Sequence, residues 1–387
     1  MILSLVTDKF KEFNKKYKSE IFSRGTIIHN CTRIPFSSPR ANYMLYGGIP
    51  RGRIVEFAGE EGSGKTTTAL DIVANAQKLF NEEWAAKIEK YENMPKLTKE
   101  QSNLLLSLRE TGPSNVLWVD CENTFDDEWG KTLGVDVGNL LFMSPEAQSA
   151  EEIFSDVLEL VQTGEIGLVV IDSLGTMVSQ QEMEKDIEDA TYGGISRALT
   201  KFSKKVSSAC AKTNCALIGI NQVRDNLNAG YGGPSTVTPG GRNWRHECSV
   251  RLGFRQGTPF DDEYKDVKKS YENPYGHRVL INVVKTKICK PNRKLGFYTL
   301  TYDHGIEPMH DIIDIAISRD IIHKAGAWFT FIDPVTKEVI KRVDEESGEQ
   351  EDIKVQGQAS LMPFLKQEEN QFLLDMIMKE VDKSIYE

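Results

Sequence analysis

The sequence predicts an α/β fold, with a mostly parallel central sheet and an antiparallel extension. Two observations predict it. Five apolar runs bounded by turn residues are separated mostly by helical stretches, which is typical of parallel strands covered by helices on both faces. After residue 249, three further runs follow one another without long helices between them, which favours antiparallel neighbours in the same sheet. The runs of the first kind are Ile54–Ala58, Val116–Asp120, Leu140–Met143, Leu168–Asp172 and Ala216–Ile220, and those of the second kind are Ser249–Arg255, Arg278–Lys285 and Phe297–Tyr302.

The composition is that of an ordinary globular protein, with 40% hydrophobic and 27% charged residues in a chain of 387. No run of about 18 apolar residues occurs, so we expect no membrane span. The first residues lack a basic segment and a long apolar segment, so we expect no signal peptide. Six scattered cysteines without a secretion signal indicate reduced thiols and a cytoplasmic location.

The charge of the chain is unevenly distributed. A net charge of −10 argues, taken alone, against a nucleic-acid partner. Between Arg197 and Arg255, however, ten basic residues face two acidic ones, so this segment carries +8 and the rest of the chain −18. A partner responds to charge within about one Debye length, ~8 Å in physiological salt, so the basic segment is a candidate nucleic-acid surface.

Residues 1–34 are predicted to be an N-terminal oligomerisation segment. Apolar residues from Leu3 to Tyr17 recur at helical spacing, and a strand-like run follows at Gly25–Ile28. So short a helix must pack its apolar stripe against this chain or against a neighbouring copy.

The remaining chain divides into a core and a tail. Residues 35–310 form the predicted core, and residues 311–387 form a small C-terminal α+β segment. Within the core, residues 81–113 are predicted to be an insertion of two charged helices divided at Met94 and Pro95. A solvated helical hairpin and a partner-binding arm are both considered for it.

A glycine-rich segment after the first apolar run fits the phosphate-binding pattern GxxxxGK[ST]. Glycines let backbone N–H groups turn towards phosphate oxygens, the lysine brings a positive charge to the β- and γ-phosphates, and the last hydroxyl binds Mg²⁺. A strand precedes the segment and a helix predicted at Thr67–Leu79 follows it, so the helix N-terminus faces the anion. The predicted nucleotide-binding residues here are Gly59, Glu60, Glu61, Gly62, Ser63, Gly64, Lys65, Thr66 and Thr67.

Two acidic residues complete the predicted chemistry of this site. Asp172 ends an apolar run, and an aspartate at the carboxyl end of a parallel strand lies where ligands bind. Together with Thr66 it is the predicted Mg²⁺ ligand. Hydrolysis also requires a group that orients or activates water, and Glu122, after the neighbouring run, is the candidate.

From about Lys15 to Trp328, apart from the insertion, the chain resembles the bacterial RecA recombinase family. Several motifs in one order carry the resemblance, so it is more specific than the P-loop alone. It implies a RecA-like P-loop ATPase core, and the insertion and divergent ends suit a virus-encoded or otherwise divergent member. The motifs are Gly47–Glu56, Asp120–Asp126, Gly219–Arg224, Ile281–Lys287 and Lys324–Trp328.

The resemblance implies catalytic roles for five residues. Glu122 takes the position of the catalytic glutamate, Lys65 that of the P-loop lysine, and Gln222 that of a glutamine that senses the γ-phosphate. Lys285 and Lys287 correspond to lysines that reach across a subunit interface to a neighbour's ATP, where they act like arginine fingers.

Further residues are predicted to contact the nucleotide outside the P-loop. The resemblance places Asp126 and Trp129 beside adenine, with Trp129 standing where the family has a tyrosine. We also expect Tyr302, at the end of an apolar run, to contact the nucleotide.

The resemblance also implies two DNA-binding loops, residues 182–193 and residues 225–241. The second is rich in Gly, Asn, Pro, Ser and Thr, a composition typical of a flexible segment. Both depart from the common family pattern, because Tyr192 replaces an apolar residue and the second loop is one residue longer. The predicted DNA-binding residues are Tyr192, Gly193, Arg197, Lys204, Arg224, Asn226, Leu227, Gly240, Gly241 and Arg242.

Together these features predict a DNA recombinase that uses ATP and Mg²⁺. It is expected to form helical homo-oligomeric filaments on single-stranded DNA, to pair that strand with homologous double-stranded DNA, and to hydrolyse ATP when stimulated by DNA. Single-strand-binding and loader proteins are further candidate partners. The expected location is the cytoplasm, of a bacterial cell or of a host cell if a virus encodes the protein.

Two other functions are considered. A RecA-like motor such as a replicative helicase would normally carry an arginine finger and a separate assembly domain, and the paired lysines with the N-terminal helix argue against it. A regulatory paralogue would bind ATP as a structural ligand only, and the combination of Glu122, Asp172 and Gln222 argues against that.

Overall fold

The computed structural model describes residues 2–17, 31–184, 194–225, 236–343 and 350–386. The chain forms two units, Met1–Thr32 and Arg33–Glu387. In the first unit the predicted N-terminal helix is confirmed, whereas the strand-like run Gly25–Ile28 lies outside the described residues. The predicted division into segments 1–34, 35–310 and 311–387 stays a prediction.

Among the helices of the second unit, some cover both faces of the main sheet and others belong to the C-terminal segment. Short 3₁₀ helices lie at Val137–Asn139 and Glu368–Asn370. Among the described residues, none of the helices combines the length and the apolar character required to cross a bilayer. The α-helices are α1 Ile2–Tyr17, α2 Pro39–Met44, α3 Lys65–Glu92, α4 Lys99–Thr111, α5 Asp127–Thr132, α6 Ala150–Thr163, α7 Gln180–Met183, α8 Gly194–Thr213, α9 Gly241–Glu247, α10 Pro308–Ser318, α11 Gln358–Leu365 and α12 Gln371–Tyr386.

The strands form one large sheet and several small ones. They are β1 Arg33–Ile34, β2 Ile49–Pro50, β3 Ile54–Gly59, β4 Asn115–Asp120, β5 Leu141–Met143, β6 Ile166–Asp172, β7 Ala216–Gln222, β8 Arg224–Asp225, β9 Thr236–Val237, β10 Val250–Phe260, β11 Gly276–Thr286, β12 Leu295–Thr301, β13 Gly305–Ile306, β14 Ile322–Ala325, β15 Trp328–Phe331, β16 Lys341–Val343, β17 Gln350–Asp352 and β18 Lys354–Gln356.

Within the described residues the main sheet has nine strands in the order β13-β12-β11-β10-β3-β7-β6-β4-β5. The six strands from β10 to β5 are parallel to one another, and β11, β12 and β13 are antiparallel to their neighbours. The α/β fold with a mostly parallel sheet and an antiparallel extension is therefore confirmed.

One strand differs from the prediction. The run Ser249–Arg255 was expected in the antiparallel extension, but β10 pairs parallel with β3 and antiparallel only with β11. The reason is that the chain returns from the end of β7 through α9 before it enters β10, which is the kind of crossover that parallel strands require. The short helix α9, only seven residues long, is too weak a pattern to reveal that crossover from sequence.

Alternate residues of the strands enter two different apolar cores. Along β6, Leu168 and Val170 belong to a cluster that includes Leu70 and Phe80 of α3. Val169 and Ile171 belong to a second cluster with residues of α6 and α8. Burial on both faces explains why the strands read as nearly continuous apolar runs.

The helix after the P-loop is longer than predicted. It was expected to end at Leu79, but α3 continues to Glu92 and so joins the core to the insertion. No proline or glycine interrupts residues 80–92, so nothing stops the helix there. The break at Met94 and Pro95 is confirmed, since α4 begins only at Lys99.

The insertion is a helical hairpin that contacts itself and the core. Trp84 Nε1 donates to the carbonyl oxygen of Leu108 at 2.7 Å. Arg51, just before β3, donates to the carboxylate of Glu83 at 2.8 Å. The pair holds the base of the hairpin against the core.

The C-terminal segment has an apolar core of its own. Helices α10, α11 and α12 pack with the sheet β14-β15-β18 around Phe329, Phe331, Leu365 and Ile377. The sequence predicts one or two small helices within Leu361–Val381, and the structure has two there, α11 and α12.

Candidate active site

The P-loop connects the end of β3 to the start of α3, as the sequence predicts. Gly64 is in the left-handed region with φ of +89°, at the N-cap of α3. A Cβ on Gly59 would lie 2.6 Å from the carbonyl oxygen of Phe254, and one on Gly64 would lie 2.8 Å from Cγ2 of Val279. Glycine is therefore required at both positions, because the loop is pressed against β10 and β11.

The ammonium of Lys65 lies inside the P-loop. Its Nζ donates to the carbonyl oxygens of Glu60 at 2.6 Å and Gly59 at 3.1 Å. Burial lowers the pKa of Lys65, and the nearby carboxylates, Asp172 first, oppose that shift. The side chain thus places a positive charge at the centre of a ring of backbone groups. Ser63 closes the ring by donating from Oγ to the carbonyl oxygen of Glu60 at 2.6 Å.

The two predicted metal ligands lie side by side. Thr66 Oγ1 donates to Asp172 Oδ2 at 2.8 Å, joining the start of α3 to the end of β6. Burial raises the pKa of Asp172 to about 6, with further contributions from Glu122 and Asp120, and the hydrogen bond from Thr66 opposes the shift. A hydroxyl and a carboxylate oxygen are the ligands that Mg²⁺ prefers, so the pair fits that cation.

Glu122 and Gln222 meet across the carboxyl ends of β4, β6 and β7. Glu122 Oε1 accepts a hydrogen bond from Ser173 Oγ at 2.5 Å and one from Gln222 Nε2 at 3.5 Å. Asp120 holds the turn after β4, because its carboxylate accepts from the backbone N–H groups of Glu122 and Phe125. The structure therefore brings together five predicted residues, namely Lys65, Thr66, Asp172, Glu122 and Gln222.

The residues predicted to lie beside adenine are less closely grouped. Trp129 Nε1 is 3.4 Å from Thr67 Oγ1, so the indole lies beside the first turn of α3. Asp126 is the N-cap of α5, and its carboxylate accepts from the backbone N–H groups of Glu128 and Trp129. That hydrogen bonding gives Asp126 a structural role.

Tyr302 lies at the end of the sheet that carries the P-loop, but three strands away from β3. Its hydroxyl is 2.9 Å from His277 Nδ1, and its backbone N–H donates to Tyr275. Among the described residues, the hydrogen bonds of Tyr302 are to His277 and Tyr275 rather than to the P-loop, so its role at the nucleotide stays a prediction.

Lys285 and Lys287 lie at the opposite end of the sheet from the P-loop. The backbone N–H of Lys287 donates to Ser249, whose own N–H donates to Ile54, the first residue of β3. The P-loop leaves the other end of β3 at Gly59, about 17 Å away at ~3.3 Å per residue. Both ammonium groups bind the carbonyl oxygens that end α9, those of Arg245 and His246.

Several of the predicted DNA-binding residues in the described chain lie on or beside α8. Gly240 is pressed against Leu199 of α8, where a Cβ would lie 2.5 Å from the leucine Cδ2. Gly241 lies beside Ser196, so the end of the second loop borders Arg197, which is exposed. Six further predicted residues include two that the structure describes and four that it does not. Lys204 is exposed two turns along α8, Arg224 lies in the β8–β9 hairpin, and Tyr192, Gly193, Asn226 and Leu227 lie outside the described residues.

Comparisons with known proteins show the family of this chain. The family model described as the RecA N-terminal domain matches residues 40–112 and 107–307. Protein RecA of Chloroherpeton thalassium is 32% identical over 334 residues, covering 84% of this chain and 81% of that protein. The chain belongs to the RecA family.

Other relatives give the same result at similar identity. Protein RecA of Chlorobaculum parvum is 33% identical over 322 residues, covering 83% of this chain and 80% of the relative. Protein RecA of Ruminococcus albus is 32% identical over 301 residues, covering 78% and 64% respectively. This protein is therefore a RecA-family recombinase, and the family's ATPase fold is the one described above.

Sequence reasoning missed one buried charge of this RecA-family protein. Glu56 lies in the middle of β3, is 0% exposed, and accepts hydrogen bonds from Asn221, Trp244 and Arg251. The signal was present, because a glutamate inside an otherwise apolar strand must find partners when both faces of the sheet are covered.

Proposed function

We propose that this RecA-family protein forms ATP-dependent filaments on single-stranded DNA and catalyses homologous pairing and strand exchange, with DNA-stimulated ATP hydrolysis. The observation that carries the proposal is a line of contacts from the P-loop to the second loop. Thr66 binds Asp172, the adjacent Ser173 binds Glu122, and Glu122 contacts Gln222. Gln222 ends the strand from which the second loop departs.

ATP and Mg²⁺ are the ligands that this site fits. The backbone of Gly59–Thr67 would surround the phosphates, and Lys65 would add its positive charge there. Thr66 and Asp172 would hold Mg²⁺, which neutralises charge on the phosphates when bound. Trp129, beside Thr67, offers an indole face on which a purine can stack.

Glu122 is proposed to orient and activate the attacking water. It is half-buried and stands at the meeting point of three strand ends, within reach of the P-loop edge. Gln222, which touches the same carboxylate, is exposed and can turn towards a γ-phosphate. A shift of Gln222 would move the first residues of the second loop, so DNA affinity would depend on the nucleotide.

Lys285 and Lys287 are proposed to act on the ATP of a neighbouring copy. Within one chain they lie at the end of the sheet opposite the P-loop, so they cannot serve their own nucleotide. In a filament they would bring two positive charges to the partner's phosphates, and nucleotide between two copies would stabilise the assembly.

DNA is proposed to bind beside the first turns of α8. Arg197 and Arg242 are exposed there, and the glycines at residues 240 and 241 let the backbone approach a phosphate closely. Contacts to phosphates leave the base edges free for pairing, as a search for homology requires. We place this activity in the cytoplasm, with single-strand-binding and loader proteins as further partners.

The test is ATP turnover with and without single-stranded DNA, followed by strand exchange between a circular single strand and a homologous linear duplex. We expect DNA to stimulate turnover and joint molecules to form only with ATP. Unwinding of forked DNA without pairing would instead indicate a helicase-type motor. ATP binding without turnover in either condition would indicate a regulatory paralogue.

A further inference from the structure

The carboxylate of Glu56 lies at the centre of a buried polar network between the main sheet and α9. Its Oε1 accepts from Asn221 Nδ2 at 2.7 Å and from Trp244 Nε1 at 2.9 Å, and its Oε2 accepts from Arg251 Nε. These donors come from β7, α9 and β10, so one side chain of β3 joins four elements.

The same network reaches the last residues of the second loop. Arg251 Nη2 donates to Thr238 Oγ1 at 3.2 Å, and Asn221 Nδ2 is 3.5 Å from the carbonyl oxygen of Pro239. Thr238 and Pro239 directly precede Gly240, the N-cap of α9. The returning limb of the loop is therefore hydrogen-bonded to partners of Glu56.

The other side of the network borders the nucleotide site. Asn221 adjoins Gln222, and Glu56 lies three residues before Gly59, the first residue of the P-loop. A displacement of Gln222 at the end of β7 has to move Asn221 or strain its bond to Glu56. Buried hydrogen-bonded groups transmit such a displacement because the packed interior around them has little free space.

A buried charge is a costly way to stabilise a sheet. Glu56 is 0% exposed and the Arg251 side chain 16% exposed, so both pay desolvation that apolar residues of the same size would avoid. The pair fixes a geometry, since its hydrogen bonds form only at one orientation of β7, α9 and β10.

We propose that Glu56 is a positioning residue that couples the nucleotide site to the second loop. Through Asn221 and Arg251, Glu56 holds Thr238 and Pro239 in place. A displacement of Gln222 is therefore transmitted to the end of the second loop as well as to its start. This inference rests on the proposed function, because it assumes that the second loop binds DNA.

The test compares Glu56→Gln with a matched buried acid, Asp71→Asn. Asp71 is 2% exposed and binds Ser37 and Asn75, away from the second loop. For each full-length variant we would measure the dissociation constant for an oligothymidine with a non-hydrolysable ATP analogue and with ADP. The dissociation constant with ADP divided by that with the ATP analogue reports the coupling.

We expect Glu56→Gln to reduce this ratio roughly ten-fold, the effect of about one charge-assisted hydrogen bond. Asp71→Asn should keep the wild-type ratio even if it lowers the melting temperature. Equal losses of DNA affinity in both nucleotide states, shared by both variants, would mean a merely structural role and would overturn the proposal.

Two milder variants cover the case in which Glu56→Gln does not fold. Trp244→Phe keeps the aromatic ring but removes the N–H donor, and Thr238→Val removes the hydroxyl that Arg251 binds. Each should reduce the ratio by about two- to five-fold. The difference in emission between wild type and Trp244→Phe should also change when ATP analogue and oligonucleotide are added together.

Failure of the inference differs from failure of the proposed function. A wild-type ratio of one would mean that DNA affinity does not depend on the nucleotide. It would contradict both the proposed function and the inference. A wild-type ratio well above one that all three variants retain, with Trp244 emission insensitive to the ligands, would overturn the inference alone.

Discussion

Lys65 is the single residue on which phosphate binding most depends. Its ammonium is buried within the P-loop and bonded to carbonyl oxygens that a phosphate would replace as partners. A charge in this position acts strongly because little water screens it.

Lys65→Ala should therefore abolish measurable ATP hydrolysis, through loss of the charge that attracts the phosphates. The measurement is ATP turnover, followed as phosphate release, with saturating single-stranded DNA. Lys78→Ala, an exposed lysine on the same helix, is the control and should behave as wild type. Normal turnover in the Lys65 variant would show that the P-loop is not the catalytic site.

Glu122→Gln should bind ATP and assemble but hydrolyse about 10²- to 10⁴-fold more slowly, because the amide cannot accept a proton from water. Binding of a fluorescent ATP analogue and single-turnover hydrolysis separate the two effects. Glu128→Gln, an exposed glutamate of α5, provides the matched control. A Glu122 variant that fails to bind nucleotide would contradict the role assigned to this carboxylate.

At the scale of residues, some functional residues could be predicted from local sequence patterns, whereas others depend on contacts with residues far along the chain and could not. The P-loop, Asp172 and Glu122 could be predicted because each lies at a strand end defined by its own neighbours in sequence. The partners of Glu56 lie 165 to 195 positions away, so no local pattern names them. The hydrogen bonds that end at Asp126 likewise depend on the cap geometry of α5.

Two buried acids tie individual elements of the chain together. Asp71 of α3 accepts from Ser37, and Asp311 of α10 accepts from Ser38 at the N-cap of α2. The short segment before α2 is thus bound to the P-loop helix on one side and to the C-terminal segment on the other.

The Asp311 contact should make stability depend on pH. Burial raises the pKa of Asp311 to about 7, and the hydrogen bond from Ser38 and the charge of Arg40 oppose the shift. The folded state therefore binds a proton more tightly than the unfolded chain, whose aspartate pKa is about 3.9. The resulting stabilisation is full below pH ~4 and is lost as the pH rises through about 7.

Asp311→Asn should remove this dependence, because the amide is neutral at every pH. Between pH 8 and pH 5 the unfolding free energy of wild type should rise relative to the variant by about 2–4 kcal/mol. Chemical denaturation at both pH values measures it, and Asp314→Asn, a more exposed neighbour that also pairs with Arg40, serves as control. Parallel pH profiles of wild type and Asp311→Asn would refute the assignment.

At the scale of elements, the strands were predictable, whereas the end of α3 and the partner of β10 were not. Buried parallel strands have nearly continuous apolar sequence, so β3, β4, β6 and β7 stand out. The end of α3 was misplaced because the insertion was predicted to begin at residue 81, where neither glycine nor proline stops the helix. The pairing of β10 was misplaced because its partner β3 lies nearly 200 residues earlier.

At the scale of the whole molecule, the sheet separates two sets of charged groups. The P-loop, Asp172 and Glu122 lie at one end of the strands, and Lys285 and Lys287 lie at the opposite end. A single copy cannot bring the two ends together, whereas head-to-tail copies can, since a heterologous interface repeats into a helix.

Lys285→Ala combined with Lys287→Ala should lose DNA-stimulated hydrolysis while keeping nucleotide binding. Since both lysines also bind the last carbonyls of α9, the melting temperature must be compared in parallel. Lys290→Ala with Lys294→Ala removes two exposed lysines from the same extension and should leave hydrolysis unchanged. Normal stimulated turnover in the first double variant would exclude action on a neighbour's ATP.

Electron microscopy of the purified protein with single-stranded DNA and a non-hydrolysable ATP analogue tests the central claim most directly. The account predicts continuous helical filaments that require both ligands, with the P-loop end of each copy facing the lysine end of the next. Separate single copies on the DNA, in the presence of both ligands, would contradict it.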